Sequence, residues 1–148
     1  MTLEIYPSQV LSSKAKTVTS KKLAKQLKRK LEHAVIHLCW SEPLGLAAPQ
    51  IGEEYRACFV RDIYMVNPII TTQSKGTHVS GEGCFSKQGF FTNITRHDTV
   101  EVRWQDENMY MHKQTFTGRM ADIVQHEFDH LQGITIMDRS KYVVTDGV

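Results

Sequence analysis

The residues with the most chemistry lie in Gln125-His126-Glu127-Phe128-Asp129-His130. This segment satisfies H-E-x-x-H. Residues four apart on a helix share one face, so His126 and His130 can direct two imidazoles at a single ion. Glu127 is adjacent and can reach a water at that ion without being a ligand itself. Such a trio performs metal-assisted hydrolysis, in which the ion acidifies water and the carboxylate carries its proton. The competing reading is a polar helix face in solvent.

A hydrolytic site of this kind needs a third protein ligand and an open fourth position. The longer pattern H-E-x-x-H-x-x-G-x-x-H holds through Gly133 and fails at Ile136, and the only acids after Gly133 are Asp138 and Asp146. The third ligand is therefore expected upstream. Cys84, within Gly81-Glu82-Gly83-Cys84-Phe85-Ser86, is the best candidate, because the two glycines permit an unusual backbone path and a close approach to a ligand. On spacing alone, ligation and a small buried core residue are equally good readings of Cys84. Cys39 and Cys58 fall in apolar segments and read as core.

The element that must carry the two histidines is a helix from about 117 to 131, ended by Gly133. A first helix is expected over 21–40, capped by Thr19 or Ser20, with Leu23, Leu27, Leu31, Ala34, Val35 and Leu38 as its buried stripe. Its Lys21, Lys22, Lys25, Lys28, Arg29 and Lys30 read as a solvated face, with a weak contact to ribosomal or other RNA as the alternative. Between the helices the chain reads as short strands: 57–60, 64–66 and 68–72, with a bend at Asn67-Pro68. Further strands at 78–81 and 90–94 flank the cysteine. An alternating strand is expected at 99–104, with 109–112 and 114–116 suggesting a hairpin around it. This order predicts an α+β fold of mostly antiparallel sheets around a central metal-binding helix, with one N-terminal helix.

Composition narrows the class. The 148 residues fit one domain spanning 1–148; 41% are apolar, 23% are charged and the net charge is +2. That balance favours neither DNA nor a membrane as partner, and no apolar run approaches the ~18 residues of a membrane span. The start lacks a secretory pattern, and three dispersed cysteines argue for a reducing cytoplasm over a disulfide framework.

Three segments together resemble the peptide deformylases. Gly45-Leu46-Ala47-Ala48-Pro49-Gln50 is similar to that family's first motif, Glu82-Gly83-Cys84-Phe85-Ser86 to its second, and Gln125 through Gly133 to its third. Their order and approximate spacing agree as well. The resemblance implies hydrolysis of the formyl group of formyl-methionyl nascent peptides, releasing formate. It implies one divalent ion on Cys84, His126 and His130, natively Fe(II), with Zn, Ni or Co able to substitute. Glu127 would be the general base and later the acid. The Gln50 side-chain amide and the Phe85 backbone N–H would stabilise the oxyanion. Gly45 and Leu46 would line the edge where the substrate backbone lies, and Arg96 would pair with Glu82 to support the cysteine segment. A monomer with at most a transient ribosome contact is expected. The rival activity is a metallopeptidase, and the rival class is a non-catalytic peptide binder.

The departures from the family pattern are specific. Pro43 stands where a glycine is usual, and Phe85 replaces the more usual leucine. Arg119 and Asp122 occupy positions before the third motif where apolar pocket residues are common, so they are expected to bind substrate and to alter side-chain preference if they face it. Little chain follows the third motif, which suggests a compact form without the further C-terminal helix of bacterial members. A phage gene, acting in the host cytoplasm, is one origin that fits.

Overall fold

A computed structural model describes residues 1–140. Its elements are α1 (Lys21–His37), β1 (Gly45–Ala47), a 3₁₀ turn (Ala48–Ile51), β2 (Ala57–Val60), β3 (Ile63–Gln73), β4 (Thr77–Cys84), β5 (Lys87–His97), β6 (Thr99–Gln105), β7 (Met111–Thr117) and α2 (Gly118–Leu131). The strands form a five-stranded sheet in the order β1-β2-β3-β6-β7 and a separate β4-β5 hairpin, antiparallel throughout. The α+β expectation holds, and α2 lies at its centre.

Strand alternation places the large sheet between the two helices. Ala57, Phe59, Tyr64 and Val66 turn to the α1 side, where they meet Ala24, Leu27, Leu31 and Ala34. Cys58, Val60 and Met65 turn the other way and pack with Ala121, Val124 and Leu131 of α2. Ser20 caps α1 by accepting from Leu23 N–H at 3.1 Å, and Tyr64 donates its hydroxyl to Ala24 C=O at 2.6 Å. α1 ends at His37, three residues before the expected boundary.

Two strand expectations are corrected. β3 runs unbroken through Asn67-Pro68. Asn67 takes φ +51°, a register shift between Val66 and Ile69 absorbs the proline, and the Asn67 side chain bonds both the N–H and the C=O of Val18 at 2.8 Å. The two segments expected at 109–112 and 114–116 are one strand, β7, which forms the expected hairpin with β6 along its whole length. β4 and β5 are longer than expected, and Cys84 closes β4 instead of sitting in a loop. Neither Gly81 nor Gly83 adopts positive φ; a Cβ at Gly81 would meet the Phe91 ring at 2.8 Å, so that glycine makes room for a cross-strand aromatic.

After α2, Gly133 takes φ +79° and turns the chain. Residues 136–140 are helical, begun by Thr135 and Asp138, which exchange side-chain-to-backbone hydrogen bonds of 2.9 and 3.2 Å. The expectation for the chain beyond Ser140 lies outside the described residues. No helix among those described is long and apolar enough to cross a membrane.

Candidate active site

α2 is an amphipathic helix with an unusual load of buried polar groups: Asp122, Gln125, Glu127, Asp129 and His130. Buried polar atoms normally find partners, and most of these do. Gln125 bonds the N–H and C=O of His97 at 2.9 Å, tying α2 to the β5–β6 junction. Asp129 receives Arg96 at 2.6 Å and Arg139 at 2.5 Å. Asp122 meets His78 Nε2 at 2.6 Å. Two atoms on this helix have no partner among the described residues, Glu127 Oε1 and His130 Nδ1. They lie at the H-E-x-x-H segment.

Cys84, His126 and His130 converge, with one ligand atom from each inside a 4.8 Å span. Cys84 Sγ lies 3.4 Å from His130 Nε2. Tetrahedral sulfur and nitrogen ligands at usual bond lengths stand about 3.6 Å apart, so the donor set fits one ion of Fe(II) or Zn(II) size. The other two cysteines are not near it as ligands: Cys58 is core and Cys39 packs beside α1.

The charges around the trio favour a cation. His126 Nδ1 is 2.8 Å from Glu82 Oε1, which leaves Nε2 to face the ion. Glu82 in turn takes two hydrogen bonds from Arg96, at 2.8 and 2.7 Å, in a buried fork. Burial alone would raise the Glu82 pKa, but the Arg96 and His126 hydrogen bonds overturn it and hold the carboxyl well below its usual range. Burial would raise the Cys84 thiol too, yet His130 and His126 draw it down to about 5. Burial would lower His126, but Cys84 and Glu82 bring it up to about 10. The same negative groups that draw a proton to His126 attract a divalent ion. Arg96 thus joins Glu82, the partner of His126, to Asp129 through one guanidinium. The Glu82–Arg96 pair was anticipated from the sequence, whereas Asp129 and Arg139 had been given no role.

Glu127 is fully enclosed, and burial first of all pushes its carboxyl up to about 6, with the two histidines pulling against that rise. Gly45 explains how it fits: a Cβ there would stand 2.5 Å from Glu127 Oε2. Gly45→Ala should therefore displace the carboxylate while leaving the ligands in place. Steady-state assays should find kcat reduced by roughly a hundredfold at unchanged metal content, the cost expected of an ångström-scale misplacement. Retention of full kcat would remove the constraint.

The Gln50 carboxamide is oriented from behind. Its Oε1 accepts from Ala47 N–H at 2.9 Å, so Nε2 points to Cys84 Sγ at 3.5 Å and Ser86 Oγ at 3.3 Å. A donor is thereby aimed at the side of the metal site. Phe85 follows Cys84 in the turn to β5, and its ring packs on Trp40 with centroids 4.3 Å apart. These groups border a cleft of about 310 Å³ that also contains Pro43, Leu44, Gly45, Arg119, Asp122 and Ile123. Leu46 is fully buried and does not border the cleft, whereas Leu44 and Gly45 do. β1 pairs with β2 alone, leaving its other edge open beside the cleft. Cleft, donors, base and ligand trio together suit hydrolysis of an amide presented on an extended chain.

Comparison with known proteins points the same way. A family model described as polypeptide deformylase matches residues 1–145. The chain is 36% identical over 144 residues to the peptide deformylase of Thermotoga neapolitana, covering 94% of this chain and 86% of that protein. Among solved structures, the Plasmodium falciparum peptide deformylase complex with inhibitor superposes with TM-score 0.86 at 30% identity, covering 93% and 87% of the two chains. The Met-Ala-Ser-bound class I type b peptide deformylase of Acinetobacter baumannii gives 0.85 at 26% identity, covering 94% and 97%.

Proposed function

The chain belongs to the polypeptide deformylase family, and from that premise we propose how its own residues remove the formyl group from nascent peptides. The observation that carries the assignment is the placement of Glu127 Oε1, buried without a partner among the described residues beside the Cys84–His126–His130 trio. Such an atom is poised to hold a proton in transit.

A divalent ion on the trio supplies the Lewis acid that polarises the formyl oxygen and acidifies water. Glu127 takes the proton of the attacking water and later delivers it to the departing amine, releasing formate. The Gln50 Nε2–H and the Phe85 N–H meet the negative charge that builds on the formyl oxygen; donors of this kind contribute roughly 3–4 kcal/mol each in other hydrolases. Gly45, with Leu46 buried behind it, offers the start of β1 to the extended peptide backbone. Glu82 and Arg96 hold His126 and the end of β4, while Arg119 and Asp122 line the cleft at the substrate side chain. The Acinetobacter baumannii enzyme binds Met-Ala-Ser, the tripeptide that deformylation of formyl-Met-Ala-Ser would leave.

The native ion is Fe(II) in this reading, to be identified by metal analysis of anaerobically prepared protein; zinc as the only metal in active preparations would contradict it. The chain acts as one catalytic unit in the cytoplasm, as a monomer, with no more than passing contact with the ribosome. Formate released from a formyl peptide without new peptide fragments separates this activity from that of a metallopeptidase. Fragments in place of formate would refute it.

A further inference from the structure

The cleft wall beyond His126 is polar where a methionine side chain calls for an apolar one. On α2, Asp122 precedes His126 by four residues and Arg119 by seven, so all three share a helix face. At 1.5 Å per residue they stand about 6 and 10.5 Å up the axis from the metal ligand. Both border the same cleft as Glu127 and Cys84. On the deformylase reading, the side chain of the formylated residue enters this cleft, which Asp122 and Arg119 line.

Asp122 is fixed. His78 Nε2 lies 2.6 Å from its Oδ1, and His78 Nδ1 lies 2.6 Å from Asp98 Oδ1, so one imidazole bridges two carboxylates. These bonds, to Asp98 first, raise the His78 pKa and favour its imidazolium. On the same β4 face, Ser80 lies between His78 and Glu82, buried and with a hydroxyl that lacks a partner among the described residues. Arg119 is exposed; among the described residues its one hydrogen bond runs from Nη1 to Gly81 C=O at 3.4 Å, and it forms no ion pair. Its guanidinium therefore has donors to spare. Ile123, Phe90 and Leu44 still give the cleft an apolar side.

We propose that Arg119, with the anchored Asp122 beside it, lets this site take a first side chain that ends in a hydrogen-bonding oxygen. Methionine sulfoxide is the form in which a formyl-methionyl start presents that chemistry. The sulfoxide oxygen accepts from the guanidinium, while its methyl and methylene groups keep the apolar side. This inference rests on the deformylase reading and adds a substrate class to it.

The test compares kcat/KM for formyl-Met-Ala-Ser and its sulfoxide counterpart, using metal-loaded parent protein, Arg119→Leu and Arg119→Lys. The parent should use the sulfoxide within about tenfold of methionine. Arg119→Leu should lower the sulfoxide-to-methionine ratio by roughly tenfold, the range for losing one charge-assisted hydrogen bond to substrate, and Arg119→Lys should restore most of it. Because a ratio is read within each preparation, partial misfolding of a variant does not shift it. A fall of less than about threefold in Arg119→Leu would overturn the inference while leaving deformylation intact. No formate from either peptide with metal-loaded parent would overturn both.

Discussion

Glu127→Gln is expected to bind its metal as the parent does and to lose nearly all turnover. The carboxamide matches the carboxylate in volume but cannot shuttle a proton. General acid–base assistance of this type contributes roughly 10²–10⁴-fold, and kcat/KM should fall by that factor. Stability should not fall with it. Burial raises the Glu127 pKa from 4.5 to about 6, so the folded state binds this proton more tightly than the unfolded one. The resulting contribution to stability is greatest below pH 4.5, declines between 4.5 and about 6, and is absent above. Holding the charge at pH 8 therefore costs the metal-free fold about 2 kcal/mol, which the neutral carboxamide relieves in part. Chemical denaturation of the metal-free proteins at pH 8 should show the variant at least as stable as the parent. An inactive variant that is also markedly unstable would point to a structural role for Glu127.

Cys84→Ala should have the other large effect, through the metal itself. With the thiol held down to about 5, Cys84 is a thiolate at neutral pH and ready to coordinate. Its removal leaves two imidazoles, and metal affinity should drop on the order of a thousandfold or more, leaving preparations nearly metal-free and inactive. Chelation of the parent should reproduce the loss, and added metal should reverse it in the parent alone. Stoichiometric metal retained by Cys84→Ala would exclude the thiolate as ligand.

The ligand helix was the most legible part of the sequence because its signal is local: His126 and His130 are one turn apart. The same holds for the apolar β2 and the alternating β6, whose expected ranges come within a residue of the observed strands. Cys84 was ambiguous by spacing, since nothing in a lone cysteine after two glycines separates ligand from core; only the resemblance to the family's second motif favours ligation. β1 escaped notice because three residues are too few to show a period. β7 was split into two segments because only Phe116 of its seven residues is buried, so no alternation marks it as one strand. Asn67-Pro68 misled because the bond that keeps β3 continuous comes from Val18, far away in sequence.

Long-range polar contacts were the least legible. His78 joins Asp98 and Asp122 across separations of 20 and 44 residues, and Arg96 reaches Asp129 across 33. The sequence alone could not name the partners of His78. The contact that makes Gly45 necessary was likewise invisible, because Glu127 approaches it from a helix far along the chain.

The most direct test of the central claim is formate release from formyl-Met-Ala-Ser by anaerobically prepared protein, with metal content and peptide products determined on the same sample. The expected result is about one iron per chain, formate and free Met-Ala-Ser appearing in equal amounts, and no shorter peptides. A fully metallated protein that releases no formate, or that cuts the peptide bonds, would contradict the account.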